Sequence, residues 1–93
     1  MTLIGIKFKD CDTEYCYYTF KEIQQLENYN NIIYIDCRGI ELTSLPNTLP
    51  SSLQYLDCGH NELTSLPNTL PSSLKELVCC SNDLTSFPNT LPN

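Results

Sequence analysis

The sequence predicts a solenoid: a short stack of coils whose strands align into a parallel β-sheet and whose return legs run extended. Three observations point there. The phrase LTSLPNTLPSSL fills residues 42–53 and returns unchanged at 63–74, and LTSFPNTLP follows at 84–92. The segments preceding each copy, IIYIDCRGIEL (32–42), LQYLDCGHNEL (53–63) and LKELVCCSNDL (74–84), align at the same spacing of 21 residues. Six prolines, at 46, 50, 67, 71, 88 and 92, punctuate the repeated phrase and forbid helical hydrogen bonding there.

Residues 1–31 carry no copy of the phrase and read as an N-terminal cap, which a solenoid needs because its end coils otherwise expose apolar side chains. LIGIKFK (3–9) alternates, with Ile4, Ile6 and Phe8 on one face and Lys7 and Lys9 on the other. YCYYT (15–19) is rich in strand formers, and the polar DCDTE between the two suits a hairpin loop. Thr19 and Glu22 then have capping-box spacing, and Ile23 and Leu26 give an apolar stripe. A helix of about two turns is expected, ending near NYNN (28–31).

Residues 32–93 divide into three repeats, 32–52, 53–73 and 74–93. Ile32, Leu53 and Leu74 share the first column, and Ile35, Leu56 and Leu77 the fourth. Cys37, Cys58 and Cys79 share the sixth, and Leu42, Leu63 and Leu84 the eleventh. The alternation across columns four to six has period two, so each coil should contribute one short strand with Ile35, Leu56, Leu77 and the cysteines turned inward. Past the strand the chain must turn, and Asn61 and Asn82 can satisfy the backbone groups the turn leaves unpaired. Ile40 stands in that column in the first coil. The Leu-Pro-x-x-Leu-Pro leg closes each coil as its extended, proline-stiffened convex wall. A fixed period in the twenties with these columns marks a leucine-rich repeat solenoid.

The phrasing LTSLPNTLPSSLKEL resembles the short leucine-rich repeats of secreted effectors from enterobacterial pathogens, and of repeat proteins in large DNA viruses of amoebae. The resemblance covers residues 32–93. It implies a solenoid that binds varied protein partners through its concave sheet face. Some bacterial members carry a separate ubiquitin-ligase domain, and none is expected within these 93 residues.

Eleven acidic against five basic residues give a net charge of −6, which disfavours phosphate backbones and anionic lipid surfaces as partners. No run of about 18 apolar residues could span a bilayer, and no basic segment precedes the short apolar start. The expectation is a cytoplasmic protein, in the host cytosol if viral or effector-derived, with its six cysteines reduced. Cys37, Cys58 and Cys79 then read as small apolar fillers of a narrow core.

Cys58, His60, Cys79 and Cys80 have the atoms for a zinc site, but the first and third point inward and the other two outward, so no metal is expected. Cys11 and Cys16, flanking the hairpin loop, read as unpaired thiols. One histidine, three glycines and no nucleophile motif leave no catalytic apparatus, and no cofactor is expected.

The positions that differ between coils lie on the outward face of the strands. They are Tyr34, Asp36 and Arg38, then Tyr55, Asp57 and Gly59, then Glu76, Val78 and Cys80. Tyrosine and arginine are the residue types that anchor interfaces. Asp36 above Asp57, one coil apart, would repel each other and attract a cation or a basic partner, or else remain simply solvated.

The function predicted is a non-catalytic protein–protein interaction module. It binds a protein partner through Tyr34, Asp36, Arg38, Tyr55, Asp57 and Glu76. The alternative is a structural unit that self-associates through the last coil with Leu84, Phe87 and Leu91, or an inert, truncated repeat array.

Overall fold

A computed structural model describes residues 3–85; residues 86–93 of the third repeat, with Phe87, Leu91 and the prolines at 88 and 92, lie outside the described residues. The described chain forms one five-stranded mixed sheet. Strands β1 (Ile4–Phe8) and β2 (Tyr15–Tyr17) make an antiparallel hairpin, with Gly5 opposite Cys16 and Ile6 opposite Tyr15. Strands β3 (Ile32–Asp36), β4 (Tyr55–Asp57) and β5 (Glu76–Val78) follow in parallel, and the spatial order is β2-β1-β3-β4-β5.

The parallel register repeats the sequence period residue for residue. Tyr34 pairs with Tyr55 and Tyr55 with Glu76; Ile35 pairs with Leu56 and Leu56 with Leu77. The backbone ladder runs beyond the strands into the turn, from Cys37 N–H to Asp57 C=O (2.8 Å), Gly39 N–H to Gly59 C=O (3.1 Å) and His60 N–H to Cys80 C=O (2.9 Å).

The same column of each turn sits in left-handed backbone, at Gly39 (φ 64°), His60 (φ 55°) and Ser81 (φ 57°), and the first turn adds a second such residue, Glu41 (φ 63°). Only glycine adopts that conformation without a Cβ penalty. The next asparagine stabilises it. Asn61 Oδ1 accepts from Ile40 N–H (3.1 Å) and Leu42 N–H (2.9 Å), while its Nδ2 donates to the carbonyls of Cys37, Cys58 and Gly59 (each 3.0 Å). Asn82 repeats the arrangement one coil later, accepting from Leu63 N–H and donating to Cys58, Cys79 and Cys80. Each asparagine reaches back to the preceding coil. Coil one follows the hairpin rather than another coil, so Ile40 in this column has no such carbonyls to serve.

The two return legs that lie within the described residues contain no helix, and each ends in a tight turn rather than remaining extended throughout. Leu53 N–H donates to Pro50 C=O and Leu74 N–H to Pro71 C=O, both at 3.1 Å. Ser73 Oγ bonds the carbonyls of Ser51 and Leu53, tying one coil's turn to the one before. Leu45, Leu49, Leu66 and Leu70 drop inward from these legs to meet Ile35, Leu56, Cys37 and Cys58 in one continuous core.

The cap closes that core from the other end. Ile4, Ile6 and Ile23 are buried, and β1 pairs with β3 in register Gly5–Asp36, Ile6–Ile35 and Lys7–Tyr34 before a bulge shifts Phe8 to Ile32. The helix is shorter than the sequence suggests: α1 spans Phe20–Gln24 only. Its start is the expected capping box, with Glu22 N–H on Thr19 Oγ1 (3.3 Å) and Thr19 N–H on Glu22 Oε1 (3.1 Å). It stops because Gln25 and Leu26 tighten to three-residue bonds onto Glu22 and Ile23, and a separate 3-10 turn forms at Tyr29–Asn31. Tyr29 Oη then donates to Thr48 C=O (2.6 Å), and Asn30 Oδ1 accepts from Ser51 N–H (3.1 Å), which fastens the cap to the first return leg.

Candidate functional site

The outer face of the sheet brings the six nominated side chains together in two rows. In the first row, Tyr34 and Tyr55 stand one above the other with ring centroids 4.9 Å apart and planes 9° from parallel. The parallel register forces this stacking, because equal strand positions on adjacent coils lie one strand spacing apart. Beyond Tyr34 comes Lys7 of β1, its Nζ 4.7 Å from the Tyr34 ring centroid, and beyond Tyr55 comes exposed Glu76 of β5. Four adjacent strands therefore present a cation, two rings and an anion in line.

The second row holds Asp36 and Asp57, and of the two alternatives open for this pair, a bound cation or simple solvation, the structure shows the first. Arg38 lies across both: Nη2 is 3.4 Å from Asp36 Oδ2 and Nε is 3.5 Å from Asp57 Oδ2. The cation that a like-charged pair would attract comes from the same strand end. Asp57 is almost fully buried, with its side chain 6% exposed, whereas the Arg38 side chain is 58% exposed. Asp57 Oδ1 accepts from Gly59 N–H (3.0 Å), and Oδ2 accepts from Tyr55 Oη (3.4 Å). Gly59 leaves the space beside it clear: a Cβ there would lie 3.3 Å from Asp57 Oδ1 and 3.4 Å from Cys80 Sγ. Asp57 thus anchors Arg38 and Tyr55, and those two present the surface.

Burial raises the phenol pKa of Tyr34, and neighbouring Asp36 raises it further; burial and then Asp57 do the same for Tyr55. Both rings stay neutral hydrogen-bond donors through the physiological range. Two contributors escaped the sequence reading. The alternation places Lys7 on the polar side of β1, but only the β1–β3 pairing reveals that this side continues the face of the repeats. Glu14, in the hairpin loop, folds its carboxylate across Gly5, where any side chain would collide with it. The missing side chain at Gly5 was the available signal.

Cys37 and Cys58 are fully buried, and Cys79 is half-buried in the last described strand end. Burial pushes the Cys58 thiol up to about 12 and raises that of Cys37 as well, so both remain protonated and unreactive. Cys16 and Cys80 are exposed, and all six thiols are free. His60 is exposed at the turn while Cys58 is buried behind it, and among the described residues no three histidine, cysteine or acidic side chains gather as a metal site.

Away from this face, a concavity of about 530 Å³ opens where the cap meets the first coil, lined chiefly by Tyr18, Phe20, Ile40, Leu42 and Leu45. Ile40 contributes to it in place of a ladder asparagine.

Compared with known proteins, the chain matches no family model, no curated protein and no solved structure. No helix among the described residues is long and apolar enough to cross a membrane.

Proposed function

We propose that the chain is a leucine-rich repeat solenoid of the short Leu-Pro-x-x-Leu-Pro type. It acts in the cytosol as a non-catalytic protein-interaction module. Its binding surface is the outer sheet face carrying Tyr34, Asp36, Arg38, Tyr55 and Glu76, with Asp57 holding that face in shape. The observation that supports this reading most is the stacked Tyr34–Tyr55 pair beside the Arg38 bridge. Rings and guanidinium are held in place before any partner arrives, so little side-chain freedom is lost on association. Tyrosine and arginine are also the side chains that dominate interface energetics.

The distribution of sequence change supports the same reading. Inward columns are either identical or change only between isoleucine and leucine, and the Leu-Pro-x-x-Leu-Pro legs differ only at Phe87, while the outer positions run Tyr-Asp-Arg, Tyr-Asp-Gly and Glu-Val-Cys. Affinity capture from cytosol tests the proposal by comparing the wild type with Tyr34→Ala/Tyr55→Ala. The expected result is a protein retained by the wild type and lost from the variant, with far-ultraviolet circular dichroism unchanged. An identical set of retained proteins contradicts it.

A further inference from the structure

We infer that the partner of this face is a basic protein segment, and that Tyr55 and Glu76 receive one of its arginine side chains. The inference rests on the interaction-module reading and assigns its chemistry. It starts from the row Lys7–Tyr34–Tyr55–Glu76. The faces of aromatic rings carry negative charge and attract cations. At one end of the row this is satisfied within the chain, because Lys7 Nζ sits over Tyr34. At the other end the side of Tyr55 turned toward β5 meets a column occupied by an anion, Glu76. A carboxylate beside a ring face is the wrong sign. A guanidinium placed there meets the ring with its plane and the carboxylate with its N–H groups, so one side chain satisfies both.

The wider charge of the face agrees. Glu14, Asp36, Asp57 and Glu76 line it against Lys7 and Arg38, leaving two negative charges in excess. Among the described residues both ion pairs belong to Arg38, and the exposed Glu76 carboxylate takes part in neither. The chain already shows the chemistry twice, with Lys7 on a ring and Arg38 between carboxylates. The Tyr55–Glu76 end is where that pattern lacks its cation.

The test uses the intact chain and two probes, a hexa-arginine peptide and its hexa-citrulline counterpart, which keeps the planar group and removes the charge. Titrations at low ionic strength are followed by amide proton–nitrogen NMR. Hexa-arginine is expected to move the resonances of Tyr55 and Glu76, and hexa-citrulline to leave them in place. Glu76→Gln should weaken binding about fivefold or more, as loss of one ion pair on a ring implies. Glu62→Gln makes the same change in net charge on an exposed turn and should leave affinity unchanged.

Equal weakening by the two variants would mean diffuse charge attraction and would overturn the inference, as would no response to hexa-arginine or an equal response to hexa-citrulline. If a captured partner still depends on Tyr34 and Tyr55 while hexa-arginine fails, the basic-segment inference alone falls. Capture that is indifferent to those tyrosines removes the module reading beneath it.

Discussion

Asn61 serves five backbone groups with one side chain, two N–H donors and three carbonyls, all in the turn region it shares with the preceding coil. Replacing it with alanine leaves several of them unsatisfied in a partly dry turn. Asn61→Ala should therefore cost roughly 3 kcal/mol, read from the urea midpoint with an unchanged slope. Asn82→Ala should cost less, because Asn82 is more exposed and bonds one N–H rather than two. At the shared left-handed position, Gly39→Ala should lose about 1 kcal/mol, since glycine there avoids the Cβ penalty that His60 and Ser81 bear in the same column. The asparagine bonds were legible in the sequence, because an amide after a strand in a fixed column has few other uses. The left-handed residue of each turn was not. Glycine occupies it once, and histidine and serine in the later coils hide the column.

The cap helix and the tyrosine stack are the elements whose behaviour separates this account from a merely compact fold. Thr19→Ala removes the hydroxyl that caps α1 and should destabilise the protein by about 1 kcal/mol in thermal unfolding. Tyr34 and Tyr55 should show a coupling of about 0.5–1.5 kcal/mol in a double-mutant cycle, as stacked rings do. Additive single-variant effects would mean that the rings do not touch. The hairpin and the capping box could be read from alternation and from the Thr19–Glu22 spacing. The early end of α1 could not, because Leu26 continues the apolar stripe although its N–H has already tightened onto Ile23. Likewise Asp36 and Asp57 looked alike as letters. Only the fold shows that one is half-buried, the other almost fully buried, and that Arg38 reaches across both.

At the scale of the molecule, the 21-residue register joins scaffold and surface, since one periodicity buries the copied leucines and thiols and stacks the two tyrosines outside. The thiols give that arrangement a pH signature. Cys58 titrates near 12 when folded against an ordinary 9.0, and Cys37 is raised in the same direction. A raised folded pKa means that the contribution is whole below pH 9 and is lost as pH rises from 9 toward 12. Above pH 9 the thiols should lower the unfolding free energy, by about 1.4 kcal/mol per pH unit for each one that is buried, whereas between about pH 7 and 9 they should leave it unchanged.

The most direct measurement of the stacked register is site-resolved thiol labelling of the native protein, read by mass spectrometry of its peptides. Cys16 and Cys80 should react at once, while Cys37 and Cys58 stay protected until denaturant is added. Labelling of Cys37 and Cys58 as fast as Cys16 under native conditions would contradict the coil stacking on which the proposed surface depends.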